Sequence, residues 1–325
     1  MKISGSDPSQ INRTKYAVPT NHTRGLRLNS SWLRYVIMGK KGKKTQTSKP
    51  KKLTPKDIGK RLDVLAKNLE EETKGADLFA PLPPTDDCAI CLVPHSRRKP
   101  ETRYMPCCGN EVCWACYMEN KESINKQNEE KSAGKKLAFT CPFCREPVLT
   151  AVTEVSRQLQ ARCLQNDRNA LRLMGGRYRR GECGKPKDEL KALDYYIRAV
   201  ELDSPAACSN IAEIYREGSG VSVHKERSAL FERVGALRGD ILARYNIGCI
   251  EYHDLGNHEI AIRHWKISAE AGYQRSLNAL RNIFNADGKR PGKEFISKEY
   301  LDFAYRACHD SQMEVKTEER EKHKV

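Results

Sequence analysis

Three observations predict a mostly α-helical chain that joins a basic tail without fold, a small cysteine-dense module and an α-helical repeat solenoid. Segments after residue 150 recur at steps of 37 and 36 residues with apolar positions at helical spacing. Eight of the thirteen cysteines crowd between Cys88 and Cys144. Residues 1–61 hold sixteen Lys or Arg against two acids, Asp7 and Asp57, so +14 of the net +16 sits there. A length of 325 residues leaves room for two or more domains.

Taken in order, residues 1–53 are too charged and too poor in apolar side chains to bury a core, and a disordered basic tail is expected. A solvated tail is the plain reading. Lys40 to Lys44 followed by Lys49 to Lys52 also fit a bipartite nuclear-import signal or a patch that attracts RNA or acidic lipid. The acid-poor start has some likeness to an organelle transit peptide, and Met38 offers an alternative start. From Thr54 the pattern changes. Thr-Pro-Lys-Asp supplies an N-cap, a proline at the first helical position and an acid at the third, and Ile58, Leu62, Leu65 and Leu69 follow at helical spacing. An amphipathic helix over 54–75 is predicted, ended by Gly75. Residues 76–86, rich in proline, read as an extended linker.

The cysteines then fall as Cys88-x2-Cys91, Cys107-Cys108, Cys113-x2-Cys116 and Cys141-x2-Cys144. No stretch approaches the ~20 apolar residues of a membrane span, and the N-terminus lacks the apolar core of a signal peptide. A soluble chain of the cytoplasm or nucleus is therefore expected, where clustered cysteines are metal ligands or redox groups more often than bridges. Eight thiols in four pairs match two closed tetrahedral zinc sites, because a Cys-x-x-Cys turn lets two thiolates reach one ion. A disulfide cluster, a thioredoxin-like pair and a nucleic-acid-reading finger compete with this. The last lacks histidine ligands and a basic recognition helix. The loops "SRRKPETRY" and "NKQNEEKSAGKK" leave little apolar core, so metal must supply the fold. Cys163, Cys183, Cys208, Cys249 and Cys308 stand alone in helical surroundings and read as small buried hydrophobes.

This order and spacing resembles a RING domain over residues 87–148, ββα-like and cross-braced, in an all-cysteine variant. The resemblance implies Cys88, Cys91, Cys113 and Cys116 on one zinc ion and Cys107, Cys108, Cys141 and Cys144 on a second. Relatives usually have a histidine in the fourth ligand place, within Cys-Gly-His, where this chain reads Cys108-Gly109-Asn110. The alternative is that Cys107 does not ligate and Cys108 takes the third place, with His95 as a substitute candidate for the fourth. The resemblance further implies a ubiquitin-protein ligase, which binds a ubiquitin-conjugating enzyme and positions its ubiquitin thioester without forming a covalent intermediate. Ile90, Trp114, Pro142 and Phe143 would form the groove for the conjugating enzyme. Arg145, directly after the last ligand, would bridge enzyme and ubiquitin with its forked donors.

Beyond the module, "ALRLMGGRY" (170–178), "ACSNIAEIY" (207–215) and "ARYNIGCIE" (243–251) align, and "KALDYYIRAV", "SALFERVGAL" and "IAIRHWKISA" follow them from Lys191, Ser228 and Ile260. Glycines at 181, 184, 218, 220 and 256 punctuate the gaps. Each unit reads as helix, Gly-rich turn, helix. Small residues at Ala170, Gly175, Ala199, Ala207, Ala212 and Ala236 allow close approach, and Tyr178, Leu193, Tyr196 and Phe231 fill the gaps. The pattern resembles Sel-one-like, tetratricopeptide-related repeats over 166–284. Such arrays stack into superhelices whose concave face usually binds protein. A helix at 152–165 would join the array to the module, a helix within 285–311 would close the far end, and 312–325 reads as a charged tail. Tyr195, Tyr196, Tyr245 and Trp265 fit either a binding face or the core.

The expectation is thus a ligase that holds a protein substrate or complex partner on its repeats. A non-enzymatic zinc-stapled scaffold is the alternative, and an RNA-associated regulator acting through the basic tail is a third reading. No nucleotide-binding glycine motif and no nucleophile with a paired base stands out in the sequence.

Overall fold

The computed structural model describes residues 54–95, 97, 102–129, 137–286 and 289–313. The basic tail of residues 1–53 and the charged tail from 314 lie outside them, and with them the nuclear-import and RNA-binding expectations. Helix α1 (Pro55–Glu72) starts as its sequence dictates: the Asp57 N–H donates to Thr54 Oγ1 at 3.2 Å and the Thr54 N–H to Asp57 Oδ2 at 3.3 Å, closing a capping box. A ββα module follows, built of β1 (Thr102–Tyr104), β2 (Glu111–Cys113) and α2 (Trp114–Glu129). The strands pair antiparallel with Arg103 opposite Val112.

Nine further helices are described: α3 (Val152–Leu164), α4 (Arg168–Arg180), α5 (Glu189–Glu201), α6 (Pro205–Glu217), α7 (Lys225–Leu237), α8 (Ile241–His253), α9 (His258–Glu270), α10 (Gln274–Phe284) and α11 (Lys298–Met313). Helices α4–α5, α6–α7 and α8–α9 pack as hairpins, and each hairpin packs on the next, which is a helical repeat array. Gly181 and Gly218 end α4 and α6 at φ +68° and +76°, a left-handed cap that glycine adopts without Cβ strain. No helix among the described residues is long and apolar enough to cross a membrane.

The close contacts explain the small residues. A Cβ on Gly175 would sit 2.7 Å from the Tyr196 ring, and one on Gly248 would sit 2.5 Å from Trp265 Nε1. Ala170, Ala199, Ala207, Ala212 and Ala236 are fully buried with Leu193 and Phe231, while Tyr178 is half-buried. Of the four aromatic residues that fitted either role, Tyr196 and Trp265 are core, and Tyr195 and Tyr245 are half-buried against Tyr178 and Tyr273.

Several expectations are revised. The helix starts of α5, α7 and α9 step by 36 and then 33 residues, not by the 37 and 32 that align the quoted segments, so the eighth residues of the three helices are Tyr196, Glu232 and Trp265. Residues 125–129 of the loop expected over 125–136 are helical instead, because α2 continues through them, and Asn128 clamps Leu137 by accepting its N–H at 2.6 Å and donating to its carbonyl at 3.1 Å. Helix α11 runs to Met313. Cys183 is half-exposed in a turn at φ +55°, not a buried hydrophobe.

The proline-rich linker is docked rather than free. Arg244, buried in α8, donates to the Leu78 carbonyl, and Phe79 lies between the Arg263 guanidinium (3.7 Å) and the His264 ring (4.8 Å) of α9. Upstream of it, α1 lays Ile58, Leu62, Leu65 and Leu69 onto α5 and α7, and Arg61 and Asp63 pair with Asp194 and Arg227 at the edges of that contact.

Candidate metal centre

The eight cysteines gather into two groups of four. Cys88, Cys91, Cys113 and Cys116 form one, and Cys107, Cys108, Cys141 and Cys144 the other, with ligand atoms inside each group all within 4.8 Å of one another. The pairs therefore alternate along the chain, first and third on one site, second and fourth on the other.

Three turns produce this. In the first, the Cys88 N–H donates to Val93 O at 2.9 Å and the Leu92 N–H to Cys88 O at 3.0 Å, with Leu92 at φ +57°. In the last, the Cys141 N–H donates to Glu146 O and the Arg145 N–H to Cys141 O at 3.0 Å, with Arg145 at φ +64°. These are the same knuckle. The middle turn repeats it with one change: the Met105 N–H donates to Asn110 O at 2.9 Å, and the Gly109 N–H to Met105 O at 2.8 Å, with Gly109 at φ +82°. Buried Met105 stands where the other knuckles have their first cysteine. The pair is then completed by Cys107, next to Cys108. Adjacent thiols are thus what remains when the first knuckle position is given to the core.

The donor set fits zinc. All thirteen cysteines are unbridged, and the closest sulfur pairs, Cys107–Cys144 at 3.5 Å, Cys91–Cys113 at 3.9 Å and Cys108–Cys141 at 3.9 Å, are far beyond a disulfide bond. Four sulfurs at ~2.3 Å from one tetrahedral ion stand about 3.8 Å apart. Without a cation the thiols titrate against one another: hydrogen bonds from Cys113 and Cys116 hold the Cys88 thiol far down, while hydrogen bonds to Cys113 and Cys88 push Cys116 far up. Burial, then Cys144 and Cys141, pushes Cys107 up. Four thiolates in one group need a divalent ion to coexist. When bound, zinc would serve here as a staple, with every ligand position taken by protein.

Backbone donors surround the thiols. N–H groups of Cys113, Ile90 and Cys116 point at Cys88 Sγ, Cys88 Sγ and Cys113 Sγ, at 3.3, 3.5 and 3.5 Å. His95 belongs to neither set. It lies buried beside Cys88, helping to lower that thiol, with Nδ1 4.0 Å from Glu111 Oε2, because both ligand sets are complete in cysteine.

Of the expected docking residues, Ile90 sits half-buried at the tip of the first knuckle, and buried Pro142 and exposed Phe143 (48%) form the tip of the last. Trp114, 40% exposed, stacks on Tyr117, which meets Phe139 edge-on. Arg145 is exposed at the end of the last knuckle.

Sequence reasoning missed how the module is held. Tyr104 of β1 donates to Asp167 Oδ2 at 2.7 Å, while Asp167 Oδ1 caps α4 by accepting from the Asn169 and Ala170 N–H groups. Arg162 of α3 donates to the Pro106 carbonyl at 3.2 Å and to the Cys107 carbonyl. A Cβ on Gly109 would lie 2.8 Å from Asp167 Oδ2, so the middle knuckle touches the array through a residue that can carry no side chain. Asp86 pairs with Arg168 at 2.5 Å.

No protein-family model matches the sequence, and neither does any curated protein. Among solved structures the chain is similar to a Sel1 repeat protein from Oxalobacter formigenes, at 27% identity over 47% of this chain and 64% of that one, TM-score 0.40. It is also similar to c5321, a protective antigen of uropathogenic Escherichia coli strains displaying an SLR fold, at 20% identity over 61% of this chain and 43% of that one, TM-score 0.42. Immunity protein Pa5087 from Pseudomonas aeruginosa gives 14% identity over 60% and 83%, TM-score 0.31. The chain spans less than two thirds of the length of the first two. The repeat architecture rests on the helices described above.

Proposed function

We propose that the chain is a protein-interaction scaffold, in which a zinc-stapled module and a helical repeat array present one continuous surface to other proteins. The observation that carries this reading is the joint itself. Tyr104, Arg162 and Asp167 tie the middle knuckle to the start of the array, and α1 with its linker straps the array along α5, α7, α8 and α9. A staple fixed to an array is a way to hold partners at a set distance. Chemical cross-linking of the zinc-loaded full chain in extract of its own cells should yield a reproducible partner set, bridged to both module and array. Cross-links from the module and array never to the same partner would contradict the shared surface.

A second reading, a RING-type ubiquitin transferase, is favoured by the exposed apolar knuckle tip at Phe143, the exposed Trp114 and the exposed Arg145. In it, the module would hold a ubiquitin-conjugating enzyme and its ubiquitin, and the array the protein to be modified. Autoubiquitylation with a panel of conjugating enzymes separates the readings. Under the transferase reading Arg145→Ala keeps its zinc and slows chain formation at least about tenfold, the loss of one charge-assisted contact. No transfer with any conjugating enzyme leaves the scaffold.

A further inference from the structure

The array's first helices open onto a cleft beside the zinc module. Two cavities, of about 290 and 370 Å³, share Arg97, Arg172 and Asp240 and run from the flank of the module to the start of α10. The N-termini of α4, α6 and α8 all reach it, and their aligned peptide dipoles favour negative charge there.

The cations around the cleft are mostly committed. Arg97 bridges the Gly239 and Pro83 carbonyls, Arg168 pairs with Asp86, and Arg238 with Glu72 and Asp203. Arg172 differs. It is half-buried, burial lowers its pKa, and it makes no hydrogen bond or ion pair with a described residue, although Glu111 and Asp240 act on its charge. A half-buried guanidinium whose donors find no acceptor among the described residues is well placed to take one from a ligand.

We propose that this cleft binds an extended acidic segment of a partner protein, with one carboxylate forked onto Arg172. The lining argues against a small polyanion, because Asp240 and Glu111 stand beside the same arginine. Those carboxylates, together with Asn210, suit a peptide: they accept from its backbone N–H groups while Arg172 takes its acid, and Ile241 and Tyr273 offer apolar contact. This rests on the protein-interaction reading and names the chemistry of the partner.

The test uses the zinc-loaded full chain and a fluorescein-labelled decapeptide of alternating serine and glutamate, followed by anisotropy. The glutamate peptide should bind at least about tenfold tighter than its glutamine counterpart, with an affinity that falls as salt rises. Arg172→Ala and Asn210→Asp should each weaken it by a similar factor at unchanged zinc content and thermal midpoint, and Arg157→Ala, on the exposed side of α3, should not. Should Arg172→Ala fold poorly, Asn210→Asp and Arg172→Lys decide. Equal binding of the two peptides, no binding by the wild-type chain, or binding of inorganic phosphate without the glutamate peptide would overturn the proposal. A partner set cross-linked equally well to Arg172→Ala would remove the cleft and leave the interaction scaffold standing.

Discussion

Glu232 is the eighth residue of α7, at the place where α5 and α9 bury Tyr196 and Trp265. Its carboxyl is fully buried, receives a hydrogen bond from Asn246 at 2.7 Å, and shares Ser209 with Asp240. Burial pushes its pKa up to about 8 from the ordinary 4.5, the nearby Asp240 charge adding to the rise. Between about pH 5 and 8 the folded chain therefore holds a proton that the unfolded chain has lost, so this residue's share of stability falls as pH rises through that window. His264, held down to about 4 chiefly by burial, acts in the opposite sense between pH 4 and 6.5, so the useful quantity is the difference between variant and wild type. Unfolding free energies from urea denaturation at pH 5 to 8 should decline more steeply for wild type than for Glu232→Gln, by on the order of a few kcal/mol across the window. Parallel pH profiles would place the Glu232 carboxyl in water. The sequence could not show this residue as special, because an isolated glutamate in a helix looks solvated until the register of the hairpin is known.

At the scale of elements, the α1 strap is where local and long-range forces divide. Its capping box and apolar stripe were legible in Thr54, Asp57, Ile58, Leu62, Leu65 and Leu69, since they follow from helix geometry alone. The docking of the linker was not, because Phe79 finds its partners Arg263 and His264 about 180 residues away, and nothing local marks that contact. Phe79→Ala should cost about 1–3 kcal/mol and open residues 73–86 to limited proteolysis before the array melts. Cleavage there at the wild-type rate would mean the strap is not held by this side chain. Leu62→Ala, by contrast, empties a fully buried site between α1 and helices α5 and α7, and should cost roughly 2–5 kcal/mol of global stability by urea denaturation.

Across the whole molecule, the two cysteine groups and the array carry the fold together. The four cysteine pairs were readable because metal ligands recur at short fixed spacings, their grouping into two sets came with the RING resemblance, and the repeats were readable because stacking makes small residues recur. The joint between them was hidden, since Tyr104, Arg162 and Asp167 are common residue types whose roles depend on orientation. Pro142, Phe143 and Arg145 were singled out through the RING resemblance, whereas Arg172, which pairs with no described residue, emerged only once its neighbours had found other partners. The account depends on metal at both groups, because a ββα module of this size has only a small apolar core of its own around Met105, Val112 and Tyr117. Zinc counted by inductively coupled plasma mass spectrometry on the purified full chain tests that directly. Two ions per chain are expected, falling to one in Cys113→Ser and to one in Cys107→Ser, with helical content of the array retained. A single ion in the wild type, or two ions still bound after Cys107→Ser, would contradict the paired four-cysteine sites.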